Sequence, residues 1–242
     1  MSTSPTPQWL PLESNPSILN PFIHRLGCPT SHEFTDVWGL DPDLLAMLPG
    51  PCVAMCLLYP SDTISGVRRG ELRENKKDVE EPKLFFTQQH DACGNACGTI
   101  ACIHSVINAA QNGSFSLDSS SVLSKFQKDT SSLPAFERGQ KLVECTDLHS
   151  ASNSTAQSGE TEGAGTNDNQ NQHFISFVLL KNHIYELDGR TLDSNGKAFP
   201  VDHGETSAES FAVDVGKIIK DDFMARDPTS IHFNITALCK IE

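Results

Sequence analysis

The run Asn95-Ala96-Cys97-Gly98-Thr99-Ile100-Ala101 sets a cysteine between small residues, where helical apolar spacing begins. The first N–H groups of a helix lack intrahelical partners and carry partial positive charge. A thiol there is drawn towards thiolate, the form that attacks a carbonyl. Cys97 is the candidate nucleophile, and the chain must also supply a base and a group to orient it.

Nine histidines compete for the first of these roles. His104 shares a helix face with Cys97, but seven residues at the helical rise is about 10.5 Å, too far for a hydrogen bond. It reads as a packed helix residue. His90 precedes the helix with nothing nearby to orient its ring. His173 stands before a run of apolar residues, and 173–180 with 184–190 reads as a hairpin. A two-residue turn at Lys181-Asn182 puts Asp188 opposite Ile175, and so diagonal to His173 on one face, at roughly 7 Å between backbones. A carboxylate there would fix the ring's tautomer and favour its charged form. A His–Asp pair on a hairpin is more often structural than catalytic. Beside a helix-start cysteine it acquires a chemical reading.

A metal reading competes in the same region, since His90, Cys93, Cys97, Cys102 and His104 crowd together. No pair of cysteines has the two-residue spacing of a zinc knuckle, and Cys97 and Cys102 point to different helix faces. No metal and no cofactor is expected. Cys52, Cys56, Cys145 and Cys239 read as small buried apolar residues.

The elements that must position these groups follow from the apolar pattern. Strands are expected at Val53–Tyr59, Lys83–Gln89, His173–Leu180, Ile184–Leu187 and Ile231–Leu238. Helices are expected at Pro16–Leu26, Asp41–Leu48, Cys97–Gln111, Ser116–Lys128, Pro134–Leu148 and Ser207–Met224. Grouped helices between strands predict an α/β (α+β) sheet sandwiched by helices. Residues 61–82 read as a solvated charged connection. Residues 149–172 carry no apolar residue larger than alanine and read as a long functional loop.

At 242 residues a single domain spanning 1–242 is expected. With 31 acidic against 18 basic residues, the net charge is −13. The only short basic clusters are Arg68-Arg69 and Lys76-Lys77, so no nucleic-acid partner is expected, and a basic protein is the natural one. No signal peptide and no membrane span is visible, which predicts a cytoplasmic or nuclear protein with reduced cysteines. No heptad pattern suggests self-assembly, and a monomer is expected.

With Cys97, His173 and Asp188 in view, the chain resembles the ubiquitin C-terminal hydrolases, the small papain-like cysteine peptidases of peptidase family C12. The likeness runs nearly end to end. It is carried by Trp9 to Pro16, Asp41-Pro42-Asp43-Leu44-Leu45, Asn95-Ala96-Cys97-Gly98-Thr99, Tyr185-Glu186-Leu187-Asp188-Gly189-Arg190 and His203-Gly204-Glu205-Thr206-Ser207. The resemblance implies a mostly antiparallel sheet between helices on a knotted backbone, an exception to the rule against threading. It implies Cys97 as nucleophile, His173 as base then acid, and Asp188 as orienting residue. It implies an oxyanion glutamine at Gln89, with Gln88 as the fallback.

The segment from Gln89 to Cys97 is two residues longer than is usual in the family. An insertion that bulges outward leaves Gln89 in place; one that shifts it costs on the order of 100-fold in rate. The implied activity is deubiquitination, cleaving after ubiquitin's last glycine, with 149–172 crossing the site and restricting leaving groups to small adducts and short peptides. Pro11, Leu12, Glu13 and Phe233 match segments that touch ubiquitin in relatives. Two other readings stand beside this one: a ubiquitin-binding protein with little turnover, favoured by the insertion, and a hydrolase preferring a related modifier such as NEDD8.

Overall fold

In the computed structural model, residues 8–76, 84–159 and 171–241 are described. Two apolar strands form the centre, β2 (Cys52–Pro60) and β3 (Gln172–Leu180), paired antiparallel. They belong to a six-stranded sheet with β1 (His32–Asp36), β4 (His183–Leu187), β5 (Val201–Glu205) and β6 (Asn234–Lys240). The order is β1-β6-β2-β3-β4-β5, and every neighbouring pair is antiparallel.

Side-chain alternation along β2 and β3 sends residues to two separate cores, as a sheet covered on both faces requires. Ala54, Cys56, Phe174 and Val178 pack towards α4 (Cys97–Gln111), together with α1 (Pro16–Arg25), α5 (Val122–Asp129), α6 (Ala135–Glu144) and α7 (Thr146–Ala156). Met55, Leu57, Tyr59, Ile175 and Phe177 pack against Phe211, Val215 and Ile219 of α8 (Phe211–Asp222) and against Phe223. The expected sheet between helices is therefore present. The knotted path is a property of the whole trace and lies outside the described residues.

The hairpin has the expected register. Lys181 and Asn182 form its turn, both at positive φ (49° and 62°), as a type I′ turn demands. Ser176 faces Leu187 and Leu180 faces His183, so the next position aligns Asp188 with Ile175.

Several expectations are corrected. The segment 61–82 is not a loop where it is described: Ser61–Glu74 is helix α3, with Ile64, Ser65 and Arg68 buried. The expected strand Lys83–Gln89 does not join the sheet in its described part, 84–89, where the backbone is paired by side chains and loops. Phe85 exchanges hydrogen bonds with the Asn108 side chain, Thr87 N–H donates to His104 Nε2 at 3.0 Å, and Gln88 N–H donates to Ala135 O. Arg138 donates to Phe86 O.

The last strand begins at Asn234 rather than Ile231, which is 88% exposed. The helix expected over Pro134–Leu148 breaks at Cys145, and Cys145 is half-buried rather than buried. Cys52, Cys56 and Cys239 are buried as expected. Of 149–172, the first part completes α7 to Ala156, Gln172 opens β3, and 160–170 lie outside the described residues. Strands β1 and β5, and the short helix α2 (Pro42–Leu45), complete the fold. Among the described residues no helix is long and apolar enough to cross a membrane.

Candidate active site

Cys97 is the first residue of α4, and Ala96 at its N-cap offers no side-chain acceptor. The positive end of the helix is thus left to the thiol and to whatever anion forms beside it. Gly98 packs closely: a Cβ there would stand 3.2 Å from both Leu12 and Phe174, which would have to give way. Cys97 is half-buried and lines a cleft of about 300 Å³.

His173, the second residue of β3, is buried beside it. Its Nε2 lies 2.7 Å from Asp188 Oδ1. Its Nδ1 is buried without a hydrogen bond of regular geometry, and the group it interacts with is the Cys97 thiol. The Tyr59 ring meets the imidazole edge-on, with centroids 5.9 Å apart.

The electrostatics favour the charged form of each partner. Burial pushes the Cys97 thiol up, but His173, the Phe174 N–H and Arg190 outweigh it, and the pKa falls below the usual thiol value. Burial pushes His173 down, but Asp188 and the thiol outweigh it, and its pKa rises. Asp188 is held far below the carboxylate range against its own burial by His173, Arg69 and the Arg190 N–H. A buried carboxylate this well satisfied stays ionised.

Three residues that hold Asp188 were not singled out from the sequence. Arg69 Nε donates to Oδ2 at 2.9 Å, Thr191 Oγ1 donates to Oδ2 at 2.9 Å, and Arg190 N–H donates to Oδ1 at 2.9 Å. Arg69's neighbour, Arg68, makes a bidentate pair with buried Glu186, both contacts at 2.6 Å. Burial raises the Glu186 pKa, but Arg68 and His203 bring it down from 4.5 to about 2. The basic dipeptide of α3 thus grips the two carboxylates of Glu186-Leu187-Asp188. The only sequence signal was two arginines in a segment whose charges otherwise suit solvent.

Gln89 is buried, its N–H donates to Gly189 O at 2.9 Å, and its side-chain Nε2 donates to Gly94 O at 2.9 Å. Between Gln89 and Cys97 lies a 3-10 turn, Asp91–Cys93, in which Asp91 and Ala92 are exposed and Cys93 is buried. The turn's first two residues therefore face outward. Gln88 is committed elsewhere: its Oε1 accepts from Ala198 N–H at 2.9 Å and its Nε2 donates to Gly196 O.

His104 and His90 are apart from the thiol chemistry. His104 is fully buried and its pKa falls to about 3, chiefly through burial. His90 is oriented after all, its Nε2 lying 2.8 Å from Phe136 O. Among the described residues no group of three or more His, Cys, Asp and Glu is arranged to hold a metal.

Pro11, Leu12 and Glu13 line the Cys97 cleft together with Asn95, Arg190 and Asn234. Phe233 does not. It lines an adjoining groove with Trp38, Leu40 and Met224, and Asn234 borders both. Gly159 packs so closely on the Glu13 carboxylate that a Cβ would collide with it, so the described end of 149–159 reaches this cleft.

The family described as ubiquitin carboxyl-terminal hydrolase, family 1, matches residues 9–224. A ubiquitin carboxyl-terminal hydrolase of Drosophila melanogaster is 40% identical over 233 residues, covering 95% of this chain and 96% of its own length. The ubiquitin carboxyl-terminal hydrolase isozyme L1 of Rattus norvegicus is 34% identical, covering 96% of this chain and 99% of its own. In fold, the chain is similar to the Trichinella spiralis UCH37 catalytic domain solved bound to ubiquitin vinyl methyl ester. That likeness has a TM-score of 0.71 at 22% identity, covering 97% of this chain and 96% of that one.

Proposed function

The chain belongs to ubiquitin carboxyl-terminal hydrolase family 1, the deubiquitinating cysteine peptidases, and from that premise we propose the role of each residue in its site. The Cys97 thiolate attacks the carbonyl carbon of ubiquitin's C-terminal glycine. The negative charge that develops on the carbonyl oxygen is met by the Cys97 N–H at the start of α4 and by the Gln89 carboxamide. His173, charged beside Asp188, protonates the departing amine, leaving a thioester on Cys97. Neutral His173 then takes a proton from water, which attacks the thioester and frees ubiquitin. The observation that carries this reading is His173, held by Asp188 on one nitrogen and facing the thiol with the other, with the pKa of the thiol lowered and that of the ring raised.

Ubiquitin's tail occupies the cleft lined by Pro11, Leu12 and Glu13, and its body reaches the Phe233 groove. The connection between α7 and β3 is assigned the gating role, restricting leaving groups to small adducts and short peptides. The whole chain acts as one catalytic domain, a monomer of the cytoplasm or nucleus, where free thiols such as its eight persist.

The test is release of a fluorophore from the C-terminus of ubiquitin, run beside the same fluorophore on NEDD8. Cys97→Ala should abolish turnover and keep ubiquitin binding, whereas Gln89→Ala should cost about 100-fold in kcat. A wild type that binds ubiquitin without turnover would make the chain a ubiquitin-holding protein. A faster NEDD8 substrate would change the partner. Lengthening the connection between α7 and β3 should admit bulkier leaving groups, and an unchanged preference would remove its gating role.

A further inference from the structure

Gly94 adopts φ 52°, ψ −119°, a backbone conformation open to glycine and strained for any residue with a Cβ. It ends the 3-10 turn Asp91–Cys93, which is closed by Cys93 N–H to His90 O at 2.8 Å and Gly94 N–H to Asp91 O at 3.0 Å. This conformation turns the Gly94 carbonyl back towards Gln89 and Arg190. Two donors meet it: Gln89 Nε2 at 2.9 Å and Arg190 Nη2 at 3.0 Å. A carbonyl oxygen has two lone pairs, and here both are used.

A carboxamide is ambiguous as an oxyanion donor. Its terminal torsion is soft and two-fold, so the same side chain can offer either N–H or a carbonyl oxygen. Presenting Oε1 to a developing oxyanion would repel it. A fixed acceptor at one side resolves the ambiguity, because only Nε2 can face a carbonyl oxygen. With one N–H held by Gly94, the amide plane is set and the second N–H remains to donate. The Gln89 backbone is already fixed from the other side, where Gly189 approaches so closely that a Cβ would lie 2.8 Å from Gln89 N.

We propose that Gly94 is a positioning residue, its carbonyl orienting the Gln89 carboxamide so that an N–H, not an oxygen, faces the oxyanion. The proposal rests on the reading of Gln89 as the oxyanion donor. It gives the turn Asp91–Cys93 a function: it delivers the carbonyl.

Nothing lies within 4 Å of a Cβ built on Gly94, so Gly94→Ala tests conformation without a clash. Ubiquitin–fluorophore hydrolysis is measured for wild type, Gly94→Ala, Gln89→Ala and the double variant. Gly94→Ala should lower kcat on the order of tenfold, with KM within about twofold, since the amide acts in the transition state. In the Gln89→Ala background the same change should cost less than about twofold, because the group it orients is gone.

A loss that persists undiminished in that background, or an unchanged kcat beside a slow Gln89→Ala, overturns the proposal and leaves the oxyanion reading intact. A Gln89→Ala of wild-type speed overturns that reading and this one together. If Gly94→Ala fails to fold, the wild type itself decides. With 15N-labelled glutamine side chains, assigned by loss of the signal in Gln89→Ala, the two Gln89 amide protons should exchange at clearly different rates. Equal and fast exchange overturns the proposal.

Discussion

Two buried histidines serve opposite ends in neighbouring regions. His104, in the middle of α4, and His173, at the start of β3, are 0% and 2% exposed. Burial alone would strip the charge from both. His104 accepts a backbone N–H from Thr87 and packs on Phe86, and its pKa falls to about 3, so it is neutral throughout the physiological range. His173 faces a carboxylate held ionised by Arg69, Thr191 and the Arg190 N–H, and its pKa rises. Depth does not make an imidazole chemical; an anchored counter-charge does.

The comparison breaks most sharply at the ring itself. His173→Gln should lower kcat by about 10⁴-fold, the loss expected when the proton carrier is removed. A drop of less than about tenfold would mean another base serves Cys97. Removing only the counter-charge sharpens it: Asp188→Asn should lower kcat by up to about 10⁴-fold. It should also move the alkaline limb of the kcat/KM profile to lower pH, because the carboxylate that keeps the imidazolium charged is gone. A limb that stays put would separate His173 from that limb.

The smallest effect concerns His104 and stability. The unfolded chain takes a proton near pH 6.5 that the folded site refuses until about pH 3, so the site's contribution is full above 6.5 and is lost as pH falls. His173 has the reverse sign: its contribution is present below 6.5 and is lost as pH rises through its raised value. His104→Gln keeps an acceptor for Thr87, costs about 1 kcal/mol, and should flatten the fall in urea midpoint between pH 6.5 and 4.5. An unchanged slope would mean His104 is not the group that titrates.

How much of this was legible in the sequence depends on the reach of each interaction. Cys97 could be placed because a helix start is a local pattern. The Asp188–His173 pairing could be placed because a two-residue turn fixes the register of everything beyond it. Arg69 could not, since its partner lies 119 residues away and a run of charges normally faces water. The segment 84–90 was misread for a related reason. Its apolar residues suit a strand, but its backbone partners are Asn108, His104 and Arg138, which no periodicity announces. Gly94 carried a signal, a glycine in a turn, but not the target of its carbonyl.

The place of β6 in the sheet bears on how the molecule is made. It lies between β1 and β2, pairing His32 with Lys240 and Cys52 with Cys239. Among the described residues strand β1 pairs with no other strand, so it must wait some 200 residues of synthesis for its partner. Contacts of such sequence separation are slow to form and leave strand edges open meanwhile. During synthesis β2 can meet β3 and close the hairpin that aligns Asp188 with His173 while the other edge is still unsatisfied. That edge is where a holding chaperone would act and where a stalled chain would aggregate.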